Sequence, residues 1–317
     1  METLQYCLRK LLYGVPLIFG VTMISFLLMV EFGPDKAYEL AGKNATHEEI
    51  ENIRRQLGQH LPFHERYLTF LGEIITFDFK HSESSGEKVS SILSRTIPVT
   101  MALAIPGFVL GNLLGILLAL WAAYKRGQFL DKGIMGFAVI GMSISFVIVI
   151  IVFQFYFCSS YGLNVFPVTG WSTETFGEYL HYVTVPTMCS VFVALGYNTR
   201  FYRAIFVEEM TRDHIRTAKA FGASTMSLLG RGVLRNSMIP IITRIIFTLP
   251  FIVIGGSLLI ESYFLIPGVG QVTFDAIQSG DLPILKAVVS LTAILYVLVL
   301  TVVDLFYKMV DPRISIT

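Results

Sequence analysis

The sequence predicts an all-α polytopic membrane protein: six transmembrane helices, a small extracytoplasmic helical insertion and a polar loop of short helices on the cytoplasmic face. Composition is the first reason. Of 317 residues 54% are hydrophobic and only 15% charged, too little charge to cover a soluble domain of this length. The second is the recurrence of apolar runs near the roughly 20 residues a helix needs to cross a bilayer. The third is the distribution of Lys and Arg, which alternates between successive short loops and so sets an orientation, the mixed-charge loop 32–97 being long enough to cross regardless of charge.

The apolar runs fall at about 11–31, 98–123, 133–158, 182–206, 241–262 and 285–307. None alternates apolar with polar residues, so membrane strands are excluded. The first run holds no charge from Leu11 to Val30 and no small-residue cleavage site follows it, so it is expected to be a retained span rather than a signal peptide. The fifth is the shortest, with only Ile245 to Ile260 between Arg244 and Glu261; snorkelling by Arg244 would extend it. Lys125, Arg126 and Lys132 follow the second run, and Arg212, Arg216, Lys219, Arg231 and Arg235 follow the fourth. The stretches from Gly162 to His181 and from Ser262 to Pro283 hold no Lys or Arg. Both termini, with Arg9, Lys10 and Arg313, are therefore expected inside, and the loop 32–97 outside. The expected segments are 1–31 (N-terminus and first span), 32–97 (outer helical loop) and 98–317 (five-helix core).

The outer loop reads as two helices broken at Pro62. Thr46 followed by Glu49 is a capping-box signature, Gly58 suits a helix end, and Tyr67, Phe70, Leu71, Ile74 and Ile75 recur at helical spacing. His60 and His64 are four apart, but Pro62 spoils a shared helix face, so they are expected as surface histidines.

The inner loop, 208–240, is the most informative stretch. RDHIRTAKAF, Arg212 to Phe221, can form a helix with Ile215, Ala218 and Phe221 along one side. Gly222 can end it in a left-handed conformation, and Ser224 can cap a second helix flanked by Leu228, Leu229, Val233 and Leu234. Pro240 then begins the fifth span, where a first-turn proline costs little. Two short helices with a glycine elbow make a rigid knob; physics alone allows either docking to a protein or contact with anionic lipid headgroups.

No catalytic, cofactor or metal site is expected. Cys7, Cys158 and Cys189 are scattered without metal or disulfide spacing, and Cys158 and Cys189 are expected as small buried hydrophobes. The chain holds no GxxxxGK[ST], HExxH or GxSxG motif. Isolated serines such as Ser143 and Ser145 fit helix packing. No nucleic-acid partner is expected.

RTAKAFGAS, with LRNSMIP ending at Pro240 eighteen residues after Gly222, resembles the cytoplasmic "EAA" loop of binding-protein-dependent ABC importer permeases. The glycine-to-proline spacing is similar to that of the dipeptide, oligopeptide and nickel branch, of the first-permease type. LRKLLYGVPLIFGVTMISFLL, RRQLGQHLPFHERYLTFLGEI, SSILSRTIPVTMALA, FPVTGW, ESYFLIPGVGQVTFDAIQSGDLPILKAVV and VVDLFYKMVDPRI resemble that branch in order. Departures are Arg216 where the loop usually begins with a glutamate, GPDK (33–36) for a Pro-Gly-Asp-Pro-like turn, Ile144-Ser145 for an Ile-Pro pair, and FDFK (77–80) for a GDLG-like turn. The resemblance implies a multi-pass subunit of a bacterial cytoplasmic (inner) membrane that forms half of a pathway for peptides or a related small solute. It implies as partners a second homologous permease subunit, two cytoplasmic ATPase subunits carrying ATP and Mg, an extracytoplasmic substrate-binding protein and membrane lipid. It assigns ATPase docking, by a coupling helix, to Arg216, Thr217, Ala218, Lys219, Phe221, Gly222, Ala223 and Ser224. The alternatives are an importer of a non-peptide cargo such as a nickel chelate, or an ion-coupled secondary transporter. The latter usually needs ionisable groups near the midplane, whereas Arg200, Arg203, Arg244, Glu261 and Asp304 lie toward span ends in the sequence.

Overall fold

The structure, a computed structural model, describes residues 2–33, 35–42, 45–250, 252 and 258–310. Its helices run α1 Glu2–Phe26, α2 Lys36–Ala41, α3 His47–Gln56, α4 Phe63–Ile75, α5 Val89–Tyr124, α6 Phe129–Ser143, α7 Phe146–Cys158, α8 Phe176–Met210, α9 Asp213–Ala220, α10 Thr225–Ser227, α11 Met238–Pro250, α12 Leu258–Phe264, α13 Val269–Ser279 and α14 Leu282–Val310. A π-helical turn, Leu27–Glu31, extends α1, and another, Leu228–Leu234, follows α10. Among the described residues the pairing of strands is limited to one bridge, His81 with Lys88.

Four stretches are long and apolar enough to span a membrane: Leu12–Glu31, α5, α8 and Leu282–Val303. The third expected span is not one straight helix. α6 and α7 meet at 101°, because Ile144 and Ser145 leave helical dihedrals for extended ones, with ψ of 133° and 135°. The fifth expected span lies partly outside the described residues, at 251 and 253–257; α11 and α12 are its two described portions. A second bent pair, Thr225–Leu234 with Met238–Leu249, meets at 62°, and Pro240 sits in the first turn of α11 as expected. Pro34 in the GPDK turn, and the C-terminal residues with Arg313, lie outside the described residues, as do the side chains of Arg9, Lys10 and Asp304.

Two compact units are distinguishable: Met1–Ser94 with Asp275–Leu298, and Arg95–Phe274 with Val299–Thr317. In the first, α4 lies against α1 through a knot of aromatic rings. Phe26 makes edge contacts with Phe63, Tyr67 and Phe70 at centroid distances of 5.4, 5.4 and 5.5 Å, an arrangement that suits ring quadrupoles. The Tyr67 hydroxyl donates to the Phe19 carbonyl at 3.2 Å, so the polar tip is satisfied. Tyr67, Phe70 and Ile74 are buried as the spacing predicts, but Ile75 is 74% exposed, since it ends the helix one residue round from the buried stripe. The Thr46–Glu49 capping box forms, with Glu49 Oε2 accepting from Thr46 N at 2.8 Å. Gly58 takes φ of 69°, and His60 and His64 are exposed. The short α2 was not anticipated; Asp35 caps it by accepting from Ala37 N at 3.0 Å.

Within the same unit Glu73 of α4 pairs with Lys286 of α14 and, at 2.5 Å, with Lys80. Asp281 accepts from Ser82 Oγ at 2.6 Å, Ser84 Oγ at 2.8 Å and Ser84 N at 3.0 Å, and caps α14 through Ile284 N. The FDFK turn puts Phe77 and Lys80 at φ of 54° and 62°. These are left-handed positions that glycine adopts without strain.

The second unit is built on a close crossing of α5 and α8. Gly107, Gly111 and Gly115 of α5 face Ser190, Ala194 and Asn198 of α8, and a Cβ on each glycine would stand 2.9, 2.8 and 2.8 Å from the Cβ opposite. Small residues four apart let two helix backbones approach in this way. Cys158 and Cys189 are free and buried, in a cluster with Val149, Ile150, Val185 and Ile260.

Candidate functional site

Three arrangements in the second unit carry the chemistry. The first is the helical elbow. α9 ends in a Schellman motif: Ala223 N donates to Ala218 O and Gly222 N to Lys219 O, both at 3.1 Å, with Gly222 at φ of 78°. That conformation strains any residue with a Cβ. Ser224 then accepts from Ser227 N at 3.4 Å, capping α10. The elbow is anchored from beneath by Ile215, Leu229 and Val233, which join Tyr202, Phe206 and Ile241 in one buried cluster. Gly232 makes room for the anchor, since a Cβ there would lie 2.6 Å from Ile215 Cδ1. At its base Glu209 accepts from Arg212 Nε at 2.9 Å and faces His214 Nε2 at 3.3 Å.

Of the residues singled out in sequence, Arg216, Thr217, Lys219, Phe221, Gly222 and Ser224 are exposed, and Ala218 and Ala223 half-buried, on one continuous elbow. Phe221 differs from expectation. It does not share the side of Ile215; it follows the last helical residue, where the chain reverses, and is 87% exposed. Met226, across the elbow, is 77% exposed. An apolar pair so presented on an otherwise polar knob is available for contact.

The second arrangement is a carboxylate cage. Glu261 of α12 is fully buried and accepts from Thr100 Oγ1 at 3.0 Å, Gly270 N at 2.6 Å and Gln271 N at 3.2 Å. Thr100 Oγ1 also accepts from Val269 N at 2.8 Å. The PGVG turn is thereby tied to α12 and α5, and Gly268 has no room for a side chain: a Cβ would stand 2.3 Å from Glu261 Oε2. Glu261, at a span end in the sequence, thus contacts the turn that follows it. The FPVTGW loop joins the same corner, with Gly170 N donating to Phe264 O at 2.9 Å.

The third was missed from sequence. A cavity of about 370 Å³ opens between α5, α8 and α11, lined by Leu103, Gly107, Phe108, Asn112, Ser190, Ala194, Asn198, Arg244 and Thr248 among others. Arg244 does not snorkel toward a span end. Its guanidinium lies 4.5 Å over the Phe201 ring and donates to Asn198 Oδ1 from Nε and Nη2 at 3.3 and 3.4 Å. Asn112 within the apolar run of α5, and Ser190 and Asn198 two helical repeats apart on α8, were the available signal. Arg203 instead makes a two-pronged pair with Asp131, at 2.6 Å for both contacts, and Gly127 N donates to the same carboxylate. Among the described residues no group of three or more His, Cys, Asp or Glu could hold a metal ion.

Residues 111–316 match the family described as the inner membrane component of binding-protein-dependent transport systems, and residues 3–104 match the N-terminal part of such membrane components. A probable peptide ABC transporter permease protein of Sinorhizobium fredii is 32% identical over 98% of both chains. A dipeptide transport system permease protein of Bacillus subtilis is 30% identical over 98% of both. One of Lactococcus lactis is 30% identical over 98% of this chain and 99% of its own.

Proposed function

The chain belongs to the binding-protein-dependent transport system inner membrane components, and on that premise we propose that it carries short peptides inward as one half of an ATP-driven pore. Similarity at about 30% identity over nearly the whole length of peptide and dipeptide permeases is the observation that carries this reading. A second, homologous permease subunit supplies the other half. Two cytoplasmic ATPase subunits supply ATP and Mg chemistry, and an extracytoplasmic binding protein delivers the substrate. The termini and the elbow face the cytoplasm, as the basic loops require.

Coupling runs through the elbow residues Arg216, Thr217, Ala218, Lys219, Phe221, Gly222, Ala223 and Ser224, with Phe221 and Met226 as the apolar contacts. α8 links the two ends of the mechanism. Asn198 on the cavity wall and Met210 at the elbow belong to one helix, about 18 Å apart at 1.5 Å per residue. Movement of the elbow on ATP-driven closure of the ATPase pair therefore displaces the cavity wall, and the spans alternate between outward and inward openings. The test is uptake of labelled peptide into proteoliposomes holding the full complex, with binding protein outside and ATP inside. Uptake should require ATP and survive a protonophore. Uptake abolished by the protonophore while ATP is preserved would establish ion coupling instead.

A further inference from the structure

Arg244 is a permanent cation on a helix of the spanning region, facing the cavity described above, and among the described residues it forms no ion pair with a carboxylate. Charges in such a setting are costly unless a partner answers them. The cavity's other polar side chains, the 47% exposed Tyr197 apart, are already committed. Asn198 Nδ2 donates to Gly111 O at 3.3 Å and to Asn112 Oδ1 at 3.4 Å, and Asn112 Nδ2 donates to Phe108 O at 2.9 Å. Tyr202 donates to Asn112 Oδ1 at 2.6 Å, Ser190 to Pro186 O at 3.1 Å, and Thr248 to Ile245 O at 2.7 Å. The guanidinium is the one charged group of the wall, and it has donors to spare: five N–H groups against the single acceptor Asn198 Oδ1, at long range. Phe201 holds one of its faces and Asn198 one of its edges, so the planar fork is fixed in orientation before anything binds. A pre-set fork of this kind matches a carboxylate, which accepts two parallel N–H bonds.

We propose that Arg244, positioned by Asn198 and Phe201, is a carboxylate-binding subsite that takes the C-terminal carboxylate of the peptide during its passage through the cavity. The subsite deepens the peptide-permease function proposed above and rests on it. Asn198 is a positioning residue: it turns its carbonyl oxygen to the arginine because its amide nitrogen is engaged by Gly111 and Asn112. The apolar walls, Leu103, Phe108, Ala194 and Ile260 among them, leave the rest of the peptide unselected and place discrimination at its charged end.

The test uses the full complex in nanodiscs without binding protein, and measures binding of trialanine and of trialanine amide, which lacks the carboxylate, by equilibrium dialysis. The wild-type complex should prefer the free acid at least tenfold. Arg244→Gln should reduce that preference to within twofold, and Arg244→Lys should retain part of it. Asn198→Asp, nearly identical in shape, gives up the two Nδ2 donations but places a carboxylate against Nε and Nη2, and should abolish the preference. No preference in the wild type, including no measurable binding of either peptide, overturns the subsite. So does a preference unaltered in Arg244→Gln and Asn198→Asp, or lost equally in the Lys and Gln variants. The peptide function stands or falls separately, on ATP-dependent uptake of trialanine by the wild-type complex with its binding protein.

Discussion

Gly222 and Gly268 are both needed as glycines, for unlike reasons. At Gly222 the space is open: a Cβ would meet nothing within 4 Å, and the constraint is φ of 78°. Gly222→Asp therefore adds strain of roughly 1–2 kcal/mol and a charge on the surface proposed above to meet the ATPase subunit. The variant should reach normal membrane abundance, recover little ATPase subunit in pull-down and lose transport. Wild-type recovery with wild-type uptake would sink the docking role of the elbow. At Gly268 the backbone is unremarkable but the space is filled, with Glu261 Oε2 at 2.3 Å and Thr100 Oγ1 at 2.6 Å from an added Cβ. Gly268→Ala must push a buried carboxylate off its donors, an overpacking cost of roughly 1–3 kcal/mol. It should lower the thermal midpoint of the purified complex, and Gly222→Ala, which carries backbone strain without a clash, should lower it by a similar or smaller amount.

At the scale of elements, the third span is the clearest case of a break written in two residues. Ile144 has φ of −81° and ψ of 133°, and Ser145 has φ of −58°. The first suits a residue before proline and the second suits proline itself. Among the described residues the Ser145 N–H has no backbone acceptor. Ser145→Pro should therefore keep transport and raise stability by roughly 0.4–1 kcal/mol through the unfolded chain, read as a higher thermal midpoint; loss of expression or a lowered midpoint would show that the bend is straight in the membrane. In the first unit the start of α14 and the 82–84 turn share one carboxylate. Burial pushes the Asp281 pKa up, but hydrogen bonds from Ser82, Ser84 and Ile284 outweigh it and hold it below the ordinary value. A depressed folded pKa means that this contribution is complete above the unfolded pKa, about 4, and is lost as pH falls through the folded value. Amide exchange at Ser84, corrected for its intrinsic rate, should accelerate below about pH 4 and not between pH 5 and 8; equal protection across the acid range would remove Asp281 from the role.

For the whole molecule the orientation is the first thing to test. In a background with Cys7, Cys158 and Cys189 replaced, Ser85→Cys should react with an impermeant maleimide in intact cells, and Gln128→Cys should not. Both side chains are exposed, so reactivity reports sidedness rather than burial. The reversed pattern would overturn the six-span topology and place the elbow on the wrong side for ATPase contact. The purified chain alone should also show no ATP turnover above background, since it carries no GxxxxGK[ST] stretch.

The sequence by itself determined the helical class, the places of four spans, the capping box at Thr46, the elbow at Gly222 and the family, because these depend on composition and on residues close together in the chain. Apolar length measures compatibility with a bilayer, and caps and left-handed glycines satisfy backbone groups within a turn or two. What only the tertiary structure decided depends on residues brought together from distant positions. Periodicity placed Phe221 with Ile215, but the chain reversal at the helix end turned it outward. Arg244 and Glu261 read alike as charges near the ends of one span, yet Thr100, from α5, answers Glu261 within its cage, while Asn198 and Phe201, from α8, steady Arg244 without neutralising it. The difference between a structural carboxylate and an unanswered cation lies in the groups packed around each, turn amides and a hydroxyl for Glu261 and a lone amide oxygen for Arg244, and tertiary packing sets that.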